Sequence, residues 1–196
     1  ELKRDIRQFD NMGHGPIDIA LWDWAGKHYG ASIAELLGGY RKRLPAYAST
    51  YHGDRAGGLA SKEAFADFAE QCHALGYRAF KVHGWNDGNA REEAENVLHV
   101  ARRVGDRMTL MLDPACELRT FADALYVGRA CDEANYFWYE DPFRDGGTSA
   151  FAHKRLRELI RTPLLMTEHV RGVEPKADFV LAGGTDFLRV DPEYDM

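Results

Sequence analysis

Five short apolar runs in this chain end in a charged or imidazole side chain. They lead into Lys81-Val-His83, Asp113, Glu140, Glu168 and Asp191. Three of the endings, Asp113, Glu140 and Glu168, are carboxylates. If the runs are neighbouring strands, these ends share one rim. Carboxylates crowded on a rim repel one another unless a cation neutralises them. Oxygen-only donors favour Mg2+ over zinc or copper, and Mg2+ keeps positions open for water or substrate. Taken singly, each acid also reads as a cap or turn residue, and Asp113 and Asp141 each precede a proline, which suits turns. At three consecutive strand ends, a shared site is the better account. Glu140 is preferred to Asp141 because it ends its run, a choice that depends on strand parity.

Lys81 and His83 are two positions apart, so in a strand both point to one face while Val82 points to the other. A lysine beside an imidazole and a cation is expected to have its pKa lowered toward that of a useful base. Asp191 has the character of an acid that holds a histidine in one tautomer, although no histidine follows it in the sequence. Tyr51, His52, Trp85 and His169 follow strand endings and are candidates to reach substrate hydroxyls.

Helical segments are expected to separate the strands. They run near Lys62 to Leu75, Ala90 to Val104, Phe121 to Asp132, Ala150 to Arg161 and Glu174 to Ala182. Thr120 with Asp123 offers a cap, and Pro175 suits a first helical turn. Short strands between helices of ten or more residues predict βαβ units and a parallel sheet. A doubly wound fold usually carries a glycine-rich first turn, and no such loop occurs here. The alternation predicts an α/β chain with a partial (β/α) TIM-type barrel, whose functional groups come from C-terminal strand ends.

Before the barrel, Ile17 to Tyr29 has helical spacing and Gly30 is a plausible stop. Ser32 with Glu35 has capping-box spacing. Trp22 and Trp24 are expected to pack in a core or between domains. The expected boundary lies near Leu44, with 1–44 as a helical part of another domain and 45–196 as the barrel. A full barrel takes about 250 residues, so the chain reads as a piece of a longer protein.

The net charge of -6 gives no footprint for nucleic acid. No apolar stretch approaches the roughly 20 residues that cross a bilayer. The charged N-terminal residues lack a signal core, and a cytoplasmic location is expected. Cys72, Cys116 and Cys131 fall in no metal or redox spacing and read as reduced thiols with packing roles.

In order along the chain stand Ile17-Asp-Ile-Ala-Leu-Trp-Asp-Trp-Ala-Gly-Lys27, Leu36-Leu-Gly-Gly39, Lys81-x-His83, Leu112-Asp113, Tyr139-Glu-Asp-Pro142, Thr167-Glu168 and Val190-Asp191. This ordered set resembles the mandelate racemase / muconate lactonizing enzyme branch of the enolase superfamily. The resemblance implies a modified (β/α)7β barrel behind a capping domain, and 1–44 as the C-terminal helices of that domain. It implies that Asp113, Glu140 and Glu168 bind Mg2+, that Lys81 and His83 assist and perform proton transfer, and that Asp191 is the acidic half of an Asp–His dyad. The family often has lysine at both second-strand positions, so His83 departs from the pattern. The dyad histidine, the last strands and most of the capping domain are expected outside these 196 residues.

The implied reaction removes the proton α to a small-molecule carboxylate through an enediolate. Acid-sugar dehydration to a 2-keto-3-deoxy acid is favoured, with racemisation or epimerisation, or an inactive remnant, as alternatives. The resembled family usually assembles as homo-oligomers. A zinc hydrolase on the same barrel would want an H-x-H pair on the first strand, and Ser49-Thr-Tyr-His52 has one histidine.

Overall fold

The computed structural model describes residues 15–51, 53–144 and 149–192. Six strands form one sheet: β1 (Ala48–Ser49), β2 (Ala79–His83), β3 (Thr109–Asp113), β4 (Trp138–Glu140), β5 (Leu164–Met166) and β6 (Phe187–Leu188). Each pairs in parallel with the next, in sequence order. Consecutive order without a reversal is the arrangement of a β/α barrel wall and excludes the doubly wound alternative. The chain is a partial β/α barrel, as the alternation predicts.

Parallel neighbours need crossovers. These are α3 (Lys62–Ala74), α4 (Ala90–Val104), α5 (Phe121–Glu133), α6 (Ala150–Arg157) and α7 (Val173–Leu181), preceded by α1 (Gly15–Tyr29) and α2 (Ile33–Leu36). The local signals operate as read. Ser32 with Glu35 and Thr120 with Asp123 both form capping boxes. Helix α6 stops earlier than its pattern suggests. Asp132 accepts hydrogen bonds from the backbone N–H groups of Arg161 (2.9 Å) and Thr162 (2.7 Å), which draws the chain off the helix toward β5.

The strands alternate cleanly. Phe80, Val82, Leu110, Leu112, Tyr139, Leu164 and Met166 join the core with Phe65, Val97, Val100, Val127 and Leu156 from the helices. Each such side chain, fully buried, contributes about 1.5–3 kcal/mol. Lys81, His83, Met111, Asp113 and Glu140 have the other parity and stand on the opposite face. The fold therefore commits one face of the sheet to packing and leaves the other for polar groups at the strand ends.

Helix α1 adds no large side chain to the core. Trp24 is 63% exposed and stacks on His28 rather than entering a core. Ile17 and Leu21 are exposed beside it. Among the described residues, no helix is long and apolar enough to cross a membrane.

Candidate active site

His83, Asp113 and Glu140 are the last residues of β2, β3 and β4. Glu168 and Arg189 follow β5 and β6 closely. The register sets His83 opposite Asp113 and Ser49 opposite Lys81, so one end of the sheet gathers all of these groups. A cleft of about 900 Å3 opens there, lined among others by Lys81, His83, Asp113, Glu168, His169 and Arg189.

Lys81 lies at the centre. Its Nζ donates to Asp113 Oδ2 at 3.0 Å and to Glu140 Oε2 at 2.9 Å. All three side chains are buried. His83 Nε2 is 3.5 Å from the same Asp113 Oδ2. The backbone of His83 is pinned by Thr50, whose Oγ1 accepts from His83 N–H at 2.7 Å. Asp113 Oδ1 accepts from Ala115 N–H at 2.9 Å, which fixes its carboxylate plane.

The lowered lysine pKa expected from the sequence presumes a neighbouring cation; among the protein's own groups the balance runs the other way. Burial disfavours the ammonium, but the charges of Asp113 and Glu140 outweigh burial and raise the Lys81 pKa above its ordinary range. Burial, with the charge of Asp113, pushes Glu140 above the usual carboxylate range, against the pull of Lys81 and Arg189. Asp141 is pushed well above it by burial and by Asp113, Glu140 and Glu168.

Two groups at the site are not assigned from the sequence: Arg189 is not singled out there, and Asp141 is weighed and set aside for Glu140. Arg189 Nη1 donates to Glu140 Oε1 at 2.8 Å and to Glu168 Oε2 at 2.7 Å. Its carbonyl is held by the buried Lys176 at 2.8 Å and by Thr167 Oγ1 at 3.0 Å. Asp141 is the second. Its φ of 35° breaks the strand alternation, so Asp141 joins its neighbour Glu140 instead of facing away. Ligand oxygens of Glu140, Asp141 and Glu168 lie within 4.8 Å of one another. Asp113 is joined to that group through the Lys81 ammonium. Asp141 Oδ2 is buried without a hydrogen-bond partner. An all-oxygen group with an unsatisfied buried carboxylate oxygen fits a hard divalent cation.

The remaining expected contacts divide. Tyr51 is 82% exposed and stacks over His83 with ring centroids 6.5 Å apart. His169 is exposed on the cleft. His52 lies outside the described residues. Trp85, expected on the mouth, is buried instead: its Nε1 donates to Leu59 O at 2.8 Å and its ring packs on Phe65. The absence of a side chain on Gly84 lets the Glu93 carboxylate come close and capture the Trp85 N–H at 2.8 Å, which sends the indole into the core. Asp191 is half-buried beyond β6, outside the cleft lining. Cys72 and Cys131 are buried as packing thiols, but Cys116 reaches the cleft.

A parallel β/α wall with acidic, basic and imidazole groups at its strand ends defines a barrel of the enolase kind. Residues 64–194 match the family described as Enolase C-terminal domain-like, and the chain belongs to that family. It is 33% identical over 178 residues to a D-galactarolactone cycloisomerase of Agrobacterium fabrum, covering 89% of this chain and 45% of the relative. It is 28% identical to a D-gluconate/D-galactonate dehydratase of Picrophilus torridus, covering 89% and 45%. A solved D-glucarate dehydratase from Agrobacterium tumefaciens, complexed with magnesium, superposes with a TM-score of 0.85 at 31% identity, covering 91% of this chain and 47% of that one. The chain spans about half the length of the curated relatives it matches.

Proposed function

We propose that the whole protein is a Mg2+-dependent lyase that removes the proton α to a sugar-acid carboxylate and expels the β-hydroxyl, giving a 2-keto-3-deoxy acid. The observation that carries this reading is the buried Lys81 ammonium, 3.0 and 2.9 Å from carboxylates of two adjacent strands and on the same strand face as His83. Likeness to a gluconate/galactonate dehydratase and a glucarate dehydratase supports the substrate class. Glu140 and Glu168 would hold the metal, with Asp113 and Asp141 beside them. Bound Mg2+ supplies Lewis-acid stabilisation of the charge that grows on the substrate carboxylate.

Lys81, held by the carboxylates of Asp113 and Glu140, supplies the positive charge that can stabilise an enediolate. The α-proton of a carboxylate is far too weakly acidic for a neutral base acting alone, and electrostatic stabilisation of the developing oxyanion lowers the barrier more than any other single effect a protein site supplies. His83, at the end of β2, moves a proton at Nε2. Tyr51 and His169 are placed to meet substrate hydroxyls. Asp191 is assigned as the acidic half of a dyad with a histidine outside these residues. Residues 1–44 are assigned to a capping domain over a barrel of 45–196, supported by the exposed Ile17, Leu21 and Trp24 of α1, an apolar surface of a kind that packs against further protein.

The same first step followed by reprotonation gives an isomerase, a second reading favoured by the likeness to a cycloisomerase. The test is the full-length protein with Mg2+ against a panel of aldonic and aldaric acids, scoring 2-keto-3-deoxy products against epimers. Dehydration that is lost in Lys81→Ala and His83→Ala supports the assignment. Dehydration unchanged in both variants removes it.

A further inference from the structure

Three consecutive strand ends bring together a second set of side chains with different chemistry. Cys116 comes from the loop after β3, Asp141 from the end of β4 and His169 from the end of β5. Their Sγ, carboxylate oxygen and ring nitrogen lie within 4.8 Å of one another. The Cys116 N–H donates to Asp141 O at 3.1 Å, and the Asp141 N–H donates to Leu165 O at 3.2 Å. These bonds tie the three segments into one unit. Cys116 and His169 line the open cleft, which gives a path from solvent. Asp141 is 3% exposed, and its Oδ2 has no hydrogen-bond partner.

We infer that Cys116, Asp141 and His169 form a second cation site, for a borderline-soft divalent ion such as Zn2+. A sulfur, an imidazole nitrogen and a carboxylate oxygen are the donors such an ion takes, with one position left for water. A hard ion such as Mg2+ avoids the thiolate. On binding, the Cys116 S–H bond gives its proton to solvent and a metal–sulfur bond forms. The site does not depend on the reaction proposed above. It shares Asp141 with the oxygen-only group, so a soft ion there takes one carboxylate from that group and His169 from the cleft.

The test uses the full-length protein stripped of metal, because Mg2+ in the oxygen-only group would compete for the shared Asp141. Cys116 is the reactive reporter, because Cys72 and Cys131 are buried. Zn2+ is expected to slow Cys116 modification by a thiol reagent at least tenfold, while Mg2+ in its place leaves the rate unchanged. Co2+ is expected to give a thiolate charge-transfer band in the near ultraviolet. His169→Ala, at an exposed position that does not endanger folding, is expected to weaken Zn2+ binding by at least about tenfold, a loss that even an outer-shell partner can produce. Cys116→Ser is expected to remove the Co2+ band. Unchanged Cys116 reactivity with Zn2+, or protection of the same strength in His169→Ala, overturns the site.

Discussion

Arg189 Nη1 lies 2.7 Å from Glu168 Oε2 and makes a second bond, of 2.8 Å, to Glu140 Oε1. Two strand-end carboxylates are thus balanced from within by a guanidinium from the next strand. A divalent cation among the same oxygens supplies the same balance. Arg189→Met is expected to leave the pair repelling when metal is withheld. The arginine side chain is 32% exposed, so the cost is about 1–2 kcal/mol rather than that of a fully buried pair. Thermal melts in a chelator should show a Tm about 5 °C below that of the parent. Added Mg2+ should close the gap. Equal Tm values for both proteins in chelator would show that the guanidinium carries none of the balance.

Lys81 is a stronger case because it is buried. Lys81→Met leaves Asp113 and Glu140 without their shared cation. Removing one partner of a buried ion pair costs about 3–5 kcal/mol. The Lys81 pKa is raised, so its contribution is complete below the unfolded lysine value near 10.4 and fades only above it. The loss should therefore be seen at neutral pH in urea unfolding. It should shrink on acidification, as the orphaned carboxylates take up protons. A variant as stable as the parent at pH 7 would mean that those carboxylates are already neutral.

Much of this site was legible because strand alternation is rigid. Lys81 and His83 share a face for that reason, and the register then sets Asp113 beside His83. The capping boxes were legible because their geometry spans only three residues. The misses fall where alternation ends. Asp141 adopts a left-handed φ, so parity no longer separates it from Glu140. Arg189 follows a strand of two residues, too short for a period to show. Trp85 was misplaced because a distant helix residue, Glu93, decides where its backbone goes. Cys116 belongs to no sequence motif, and its neighbours come from two other strands.

Which carboxylates serve a hard cation can be settled by comparing amide variants. Glu140 and Asp141 lie in the oxygen group with Glu168, whereas Asp113 is engaged by Lys81 and Ala115. Glu140→Gln and Asp141→Asn are each expected to weaken Mg2+ binding more than tenfold by titration calorimetry. Asp113→Asn is expected to weaken it less, because its effect passes through Lys81. If Asp113→Asn were the most damaging of the three, the cation would have to draw Asp113 away from the lysine. The grouping of Glu140, Asp141 and Glu168 would then describe only the metal-free arrangement.

Glu93 controls stability rather than chemistry, and its pH signature runs opposite to that of most carboxylates. It is fully buried on α4, with Oε1 accepting from Trp85 N–H at 2.8 Å and Oε2 without a partner. A Cβ on Gly84 would lie 2.5 Å from both oxygens, so glycine is what lets the carboxyl approach the backbone. Burial pushes its pKa up to about 8, against the pull of the Trp85 N–H. The unfolded value is near 4.3. Between these values the native state keeps a proton that the unfolded chain releases, so stability falls as pH rises through the window. The total is of the order of a few kcal/mol. The buried His153 imidazole, its pKa lowered by burial, gives the opposite slope, and subtracting one protein from the other cancels it. The stability of the parent minus that of Glu93→Gln should therefore decline from about pH 5 to pH 8 and level off above. A flat difference across that range would mean that Glu93 is ionised in the folded protein.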